Sequence, residues 1–451
     1  MLSTLLLSAL VPPAFVLAAL DVNLDDKESI KAAAKLVAAD LMTFYHGNEP
    51  GMVPGILPGP PPDGDYYWWQ GGAMWGSLLD YWHLTGNDEW NDDIYQSLIH
   101  QAGDNRDFMD GNWSVSLGND DQSFWSMSSM IAAEVAFRDP PEDQPQWLAL
   151  TQAVWNEQAS PDRRDDACGM GLRWQIYPTN QGYNYKNTIS NGCFFNQGAR
   201  LARYTNNQTY ADWSDRTWDW LIDVGFIDKD YNVWDGAHVD DDCKAITKQP
   251  YSYSPAVLLL GMAHMYDYTK DDKWQDRING LLNRTLEVFF PDGIAYEPVC
   301  EATGCTFDAI TFKGFVHRWL AAATQLAPFM REKVMPVLKT SAQAAVKQCT
   351  GGDNGRMCGF RWASGQYDGS VTAGNQMSVL GALTSLLVEE AQGAPVTNST
   401  GGTSQGDADA GVETVTITFA PIKTADKAGA AILTIMLLAG GLCAVGWMVW
   451  E

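Results

Sequence analysis

The chain has 451 residues, and 55 Asp and Glu against 29 Lys and Arg give it a formal net charge of −26. That balance excludes a nucleic-acid partner and adhesion to anionic lipid, both of which need clustered cations.

The amino terminus is read first. Residues 2–17 are apolar apart from Ser3, Thr4 and Ser8. Val16-Leu17-Ala18 then offers a cleavage point, so residues 1–18 are expected to be a secretory signal peptide. Pro12-Pro13 argues against a short buried helix there. A folded region, 19–390, follows with no linker-like break in composition. Residues 391–427 are polar and rich in Thr, Gly, Asp and Ala, which reads as a stalk. Ala428 to Trp450 is uncharged and long enough to span a bilayer, and only Glu451 follows it. No cytoplasmic Lys/Arg cluster stands behind it, as a permanent transmembrane helix would carry. Residues 428–451 are therefore expected to be a glycosylphosphatidylinositol (GPI) signal that is removed, with the attachment residue between Asn398 and Asp426. The expected location is the outer face of the plasma membrane or the cell wall.

Sequons at Asn112, Asn207, Asn283 and Asn398 fit a secreted chain and are expected to be glycosylated. In such a chain the 19 tryptophans suggest sugar-stacking surfaces as well as core. Cys443 leaves with the tail. Cys300/Cys305 and Cys349/Cys358 are close in sequence around Gly-containing loops and are expected to pair locally. Among Cys168, Cys193 and Cys243, the pairing Cys168–Cys243 is favoured, leaving Cys193 as a buried thiol in the apolar run Gly192-Cys193-Phe194-Phe195. No Cys/His spacing suggests zinc, and neither a metal nor a cofactor is expected.

Within the folded region one unit recurs: Gly76…Thr85-Gly86…Trp90, Gly198…Thr205-Asn206…Tyr210 and Gly261…Thr269-Lys270…Trp274. Each time a Thr ends an apolar helical stretch and an aromatic residue opens the next helix five residues later. Helical periodicity is also clear over 125–137 and 379–387, while β-alternation is sparse. The expected class is all-α, with six helical hairpins closing into an (α/α)6 barrel; an open α-solenoid is the alternative.

Several loops mix aromatics with Asn, Asp, Gln or Ser just ahead of a helical run: Tyr66 to Gly72, Leu117 to Trp125, Lys186 to Asn191, Val233 to His238 and Tyr251 to Ser254. Rings cover the apolar face of a sugar, and amides and carboxylates bind its hydroxyls. The same polar residues also serve as helix N-caps. Of the many Asp-Asp pairs, Asp120-Asp121 stands apart because Phe124, Trp125 and an apolar helix follow it. A carboxyl held against such rings keeps a raised pKa. Neighbouring residues readily place carboxyls ~5–5.5 Å apart, the spacing of a retaining glycosidase. A helix cap at Asn119/Asp120 with Asp121 on the dipole is the structural alternative.

Trp68-Trp69-Gln70-Gly71-Gly72, Asn119-Asp120-Asp121 with Trp125, Lys186 to Asn191 and Tyr251 to Ser254, in this order and spacing, resemble glycoside hydrolase family 76. That family contains endo-α-1,6-mannanases on (α/α)6 barrels with consecutive aspartates at the catalytic centre. The signal peptide, stalk and tail are similar to its fungal, GPI-anchored Dfg5/Dcw1-like branch. The resemblance implies Asp120 as nucleophile and Asp121 as acid/base. Substrate contacts are expected from Trp68, Trp69, Gln70, Asn119, Trp125, Asn187, Asn191, Asp235, His238 and Tyr253. The implied partners are α-mannoside glycans, the GPI-anchor glycan core and wall glucan as acceptor, for a monomeric enzyme. Bacterial members more often read Tyr-Asn-Gln-Gly where this chain has Tyr253-Ser254-Pro255-Ala256, so the subsite there is expected to differ. A non-catalytic wall-binding protein is the alternative from another functional class.

Overall fold

The structure is a computed structural model describing residues 19–412 except 110, 112, 114–116 and 392, together with 427, 433–434 and 436–438 of the tail. The expected signal peptide, the sequon at Asn112 and most of the hydrophobic tail lie outside the described residues.

The helices are α1 (Lys27–Met42), α2 (Trp68–Thr85), α3 (Asn91–Gln101), α4 (Asn119–Glu134), α5 (Trp147–Ala159), α6 (Thr188–Thr205), α7 (Gln208–Asp223), α8 (Tyr253–Thr269), α9 (Asp272–Phe289), the single turn α10 (Phe307–Ile310), α11 (Phe312–Leu326), α12 (Arg331–Val346) and α13 (Ala373–Ser385). The chain reverses at the recurring unit for a definite reason. Gly86, Asn206 and Lys270 are left-handed C-caps of α2, α6 and α8. The hydroxyls of Thr85, Thr205 and Thr269 donate back to the carbonyls of Tyr81, Leu201 and Met265. The left-handed residue stops the helix and turns the chain. Trp274 then buries at the start of the outer helix, and Tyr210 does the same in its own hairpin.

Contacts run α2 to α4, α4 to α6, α6 to α8, α8 to α11, α11 to α13, and α13 back to α2. The ring closes, which is the (α/α)6 barrel rather than an open solenoid. Inner helices α2, α4, α6, α8 and α13 are buried over nearly their whole circumference, so their apolar residues show little one-sidedness. The outer helices α7 and α9 bury one stripe. The inner helices begin at one end of the barrel. There the antiparallel pair β1 (Tyr185–Asn187) and β2 (Gly236–His238) joins two loops, and β3 (Cys349–Gly351) pairs with β4 (Met357–Cys358). Bridges link Cys168 to Cys243, Cys300 to Cys305 and Cys349 to Cys358, while Cys193 is a buried thiol. At the opposite end, buried ion pairs Arg200–Glu134 and Arg318–Asp80 close the ring.

The stalk expected from residue 391 is corrected by the structure, because the compact unit extends to Val412. Arg203 donates to the Pro395 carbonyl (2.7 Å), Val396 N–H to the Glu134 carbonyl (2.9 Å) and Asn398 N–H to the Tyr204 carbonyl (3.0 Å). Polar, small-residue sequence reads as unstructured, yet here a helix side chain and the free carbonyls of helix ends satisfy its backbone groups. Asn207, Asn283 and Asn398 are all exposed.

Candidate active site

The N-terminal ends of the inner helices surround a cleft of about 760 Å³. Trp69 of α2, Asp120 and Asp121 of α4, Asn187 before α6, Tyr253 of α8 and Phe312 of α11 all line it. Helix N-termini carry partial positive charge, which offsets the cost of carboxylates gathered here. Those carboxylates are Asp120, Asp121, Asp235 and Asp308.

The chain bends into α4 at Gly118, whose N–H donates to Asp121 Oδ2 at 2.6 Å. A Cβ on Gly118 would lie 2.4 Å from Asp120 Oδ1 and 3.1 Å from Asp121 Oδ2. Both carboxylates therefore fold back over the glycine, and those two oxygens are at most about 5.5 Å apart, short of the ~6.5–9.5 Å that an inverting pair needs. Asp120 Oδ1 is buried with no hydrogen-bond partner among the described residues. Burial pushes the Asp120 pKa up to about 7; the charge of Asp235 adds to this, while backbone N–H groups and the Ser190 hydroxyl draw it down. Asp121 is raised well above the ordinary range by burial first, then by the charge of Asp120 beside it. Asp121 is the more strongly raised of the two, so it is the member of the pair that keeps its proton to higher pH.

Around the dyad, the Tyr185 hydroxyl donates to Asp235 Oδ2 at 2.7 Å, and burial raises that carboxyl too. Trp69 Nε1 donates to Asp308 Oδ1 at 3.2 Å, and burial lifts Asp308 to about 6. Tyr253 stacks flat on Phe312, with ring centroids 3.9 Å apart. Its place is set by Glu297, a buried carboxyl that accepts from the backbone N–H and hydroxyl of Ser252 at the start of α8. Burial and the charges of both aspartates hold the Cys193 thiol well above its usual pKa, so it stays an unreactive packing residue.

Trp69, Asn187, Asp235 and Tyr253 thus sit on the cleft wall, and Asn187 also caps α6 by accepting from Ser190 N–H. The other expected contacts are corrected. Trp125 is fully buried, against Trp68 and Phe108. The buried Trp68 donates to Gln101, and Gln70 accepts from Tyr67 N–H and donates to the Phe307 carbonyl. Asn119 is held by Arg163 and the Arg173 carbonyl, while Asn191 brackets the backbone of Leu172. His238 is exposed and packs edge-on against Tyr185 rather than lining the cleft. Each of these amides and rings fixes a loop instead of facing a ligand. Arg163 and Glu157 extend the same support, since Glu157 accepts from Gln122, the residue that follows the dyad.

Sequence reasoning missed Asp308, Trp174 and Tyr67. Among the described residues the exposed aromatics are Tyr67, Trp174 and Tyr177, and the first two line the cleft. The Trp174 backbone is fixed on both sides, by Asn119 N–H and by the Tyr185 carbonyl, and Gly182 lets its ring lie against the loop. An exposed ring on a rigid backbone beside amides is the one signal that could have found it; Asp308 had none beyond its place after Cys305. Among the described residues no group of three His, Cys, Asp or Glu side chains is arranged to hold a metal ion.

The model of glycosyl hydrolase family 76 matches residues 29–399. The chain is 43% identical over 438 residues to mannan endo-1,6-alpha-mannosidase DCW1 of Saccharomyces cerevisiae, covering 96% of this chain and 95% of that one. Dfg5 of Chaetomium thermophilum, solved in complex with glucosamine, is similar at 54% identity and a TM-score of 0.85, covering 87% of this chain and 98% of that one. An α-1,6-mannanase of Salegentibacter, solved with α-1,6-mannotriose as a variant inactivated at two consecutive aspartates, shares the fold at 15% identity and a TM-score of 0.64, covering 79% and 99%. With a matching model over most of its length and relatives this similar across nearly all of it, the chain belongs to glycosyl hydrolase family 76, as a glycoside hydrolase on an (α/α)6 barrel.

Proposed function

We propose that the chain is a retaining α-mannosidase and transglycosidase of the mannan endo-1,6-α-mannosidase type. The carrying observation is the converged pair Asp120/Asp121, both carboxyls raised by burial and Asp121 the more so, in an aromatic cleft. Asp120, ionised and with a buried oxygen lacking a partner, attacks the anomeric carbon. The bond to the leaving oxygen breaks and Asp121 gives its proton to that oxygen. Asp121, now ionised, takes a proton from an acceptor hydroxyl, whose oxygen displaces Asp120 and restores the starting charges. Water as acceptor gives hydrolysis and a sugar gives transfer. A non-catalytic sugar-binding protein has no use for a pair of buried carboxyls held at raised pKa.

The names borne by relatives at about 40% identity support mannoside as donor. Four carboxylates in one cleft favour a donor carrying a cation, and the glucosamine bound by the Chaetomium relative is such a sugar. The mannose core of a GPI anchor, next to glucosamine, combines both, with transfer onto wall glucan at the outer face of the plasma membrane. The test is to incubate the enzyme with α-1,6-mannotetraose and with a mannosyl-glucosamine disaccharide, each with and without a gluco-oligosaccharide acceptor. Shorter mannosides, and mannosylated acceptor from the disaccharide, are expected. Absence of cleavage of either donor refutes the reading.

A further inference from the structure

Two buried glutamates in the loop before α10 take no part in the chemistry, yet each holds the neighbour of a cleft ring. Glu297 and Glu301 are 0% and 4% exposed and share one turn, in which Glu301 N–H donates to the Glu297 carbonyl at 3.0 Å. Glu297 accepts from the N–H of Ser252 at 3.3 Å and from its hydroxyl, and Tyr253 follows as the first residue of α8. Glu301 accepts from Lys313 Nζ at 2.9 Å, and Phe312 precedes that lysine as the first residue of α11. The two grips are joined. Glu297 N–H donates at 2.9 Å to Glu301 Oε2, the oxygen that also pairs with Lys313 at 2.8 Å.

The rings held in this way come from different helices and lie 8° from parallel, with centroids 3.9 Å apart. Rings left to their own quadrupoles settle about 4.5–7 Å apart, offset or edge-on, so a parallel pair this close has to be held. Tyr251 stands edge-on to both, at 6.1 and 5.9 Å, and all three line the cleft. Burial, then the charges of Asp235 and Asp120, hold the Tyr253 hydroxyl well above its usual pKa, so the stack sits in the field of the nucleophile. The same loop runs on through the Cys300–Cys305 bridge to Thr306, whose Oγ1 accepts from Ala309 N–H at 3.4 Å and starts the turn that carries Asp308. Burial lifts the Glu297 carboxyl to about 8, against the pull of its Ser252 bonds and the Lys313 charge. Apolar packing of the same volume would avoid that cost.

We propose that Glu297 and Glu301 are positioning residues of the sugar site: together they form one clasp that holds the Tyr253/Phe312 stack as a rigid platform for the donor mannoside. The inference rests on the mannoside reading given above, so its test has one arm that needs a sugar and one that does not.

In the first arm, calorimetry measures α-1,6-mannotetraose binding to the full chain carrying Asp120→Asn, so that binding is read without turnover. Tyr253→Ala should weaken it by about tenfold. Ser252→Ala removes one hydroxyl, leaves every buried charge in place, and should weaken it by about threefold to tenfold. In the Tyr253→Ala background the Ser252 change should add less than about twofold, because the contact acts through that ring. Unchanged binding in Ser252→Ala, or additive losses in the double variant, refutes the clasp. No loss in Tyr253→Ala refutes the platform, and the clasp with it. The second arm reads amide hydrogen exchange in the unliganded full chain. Glu301→Gln weakens the hold on Lys313, and exchange should rise by about tenfold in peptides covering 250–255 as well as 310–315. A rise confined to 310–315 means two separate supports and refutes the clasp. Coupled exchange together with no binding of mannotetraose refutes the mannoside reading and leaves the clasp standing as the support of the rings.

Discussion

Replacing Asp120 by Asn should stabilise the protein, and increasingly so as the pH rises. Asp120 has its carboxyl lifted to about 7, chiefly by burial, against about 3.9 in an unfolded chain. A carboxyl whose folded pKa is raised binds its proton more tightly in the folded state. Its contribution is fully favourable below the unfolded pKa and is lost as pH rises through the folded one. The lift of about three units corresponds to about 4 kcal/mol at about 1.4 kcal/mol per unit, lost between roughly pH 4 and pH 7. Titrating the two states gives a cost of roughly 1–2 kcal/mol at pH 5 and roughly 4 kcal/mol at pH 8. An unfolding entropy of about 2 cal/mol/K per residue over a domain of this size turns these into a melting-point advantage for Asp120→Asn of about 2 °C at pH 5 and about 5 °C at pH 8. Relief of the like charge beside Asp121 acts in the same direction. Thermal unfolding of the two proteins across this range reads the difference. A variant advantage that is flat or shrinks with rising pH would refute the claim that a strained, buried carboxylate occupies this position.

Further substitutions separate the roles. Asp121→Asn removes the proton donor, so it should slow cleavage of an unactivated mannoside by about 10²–10⁴-fold; a donor with an acidic phenol as leaving group should recover most of that rate, and no recovery would count against Asp121 as the acid. Gly118→Ala puts a methyl 2.4 Å from Asp120 Oδ1, and a displacement near 1 Å should cost about 10²-fold in kcat, whereas wild-type turnover would show that the carboxylates are not held over this residue. Asp308→Asn should raise KM for a glucosamine-bearing donor about tenfold while sparing a neutral manno-oligosaccharide, since one charge of the acidic cleft is lost; an equal effect on both would assign Asp308 to positioning Trp69.

Much of the architecture was legible in local sequence. The Thr, left-handed residue and later aromatic of each hairpin act within a few residues, so a single chain displays them. Asp120-Asp121 was legible because adjacency alone limits carboxyl separation and Phe124 lies close behind. The errors come from helix geometry. Successive helical residues point about 100° apart, so in Trp68-Trp69 only one ring faces the cleft, and Trp125 points inward from the helix that carries the dyad. Asn119 and Asn191 read as sugar-binding amides, yet loops entering buried helices need amides for their own backbone. Asp308, in the single turn α10, and Trp174, in a loop, have no spacing that connects them to residue 120; only closure of the ring brings them there. Residues 395–412 show the same limit, because low apolar content forecasts disorder only when no neighbouring helix offers partners.

Double displacement at Asp120 is the central claim, and the anomeric configuration of the first product tests it most directly. Proton NMR of α-1,6-mannotetraose hydrolysis, recorded before mutarotation, should show the α-anomer appearing first. First appearance of the β-anomer would mean a single displacement by water and would contradict the covalent role given to Asp120.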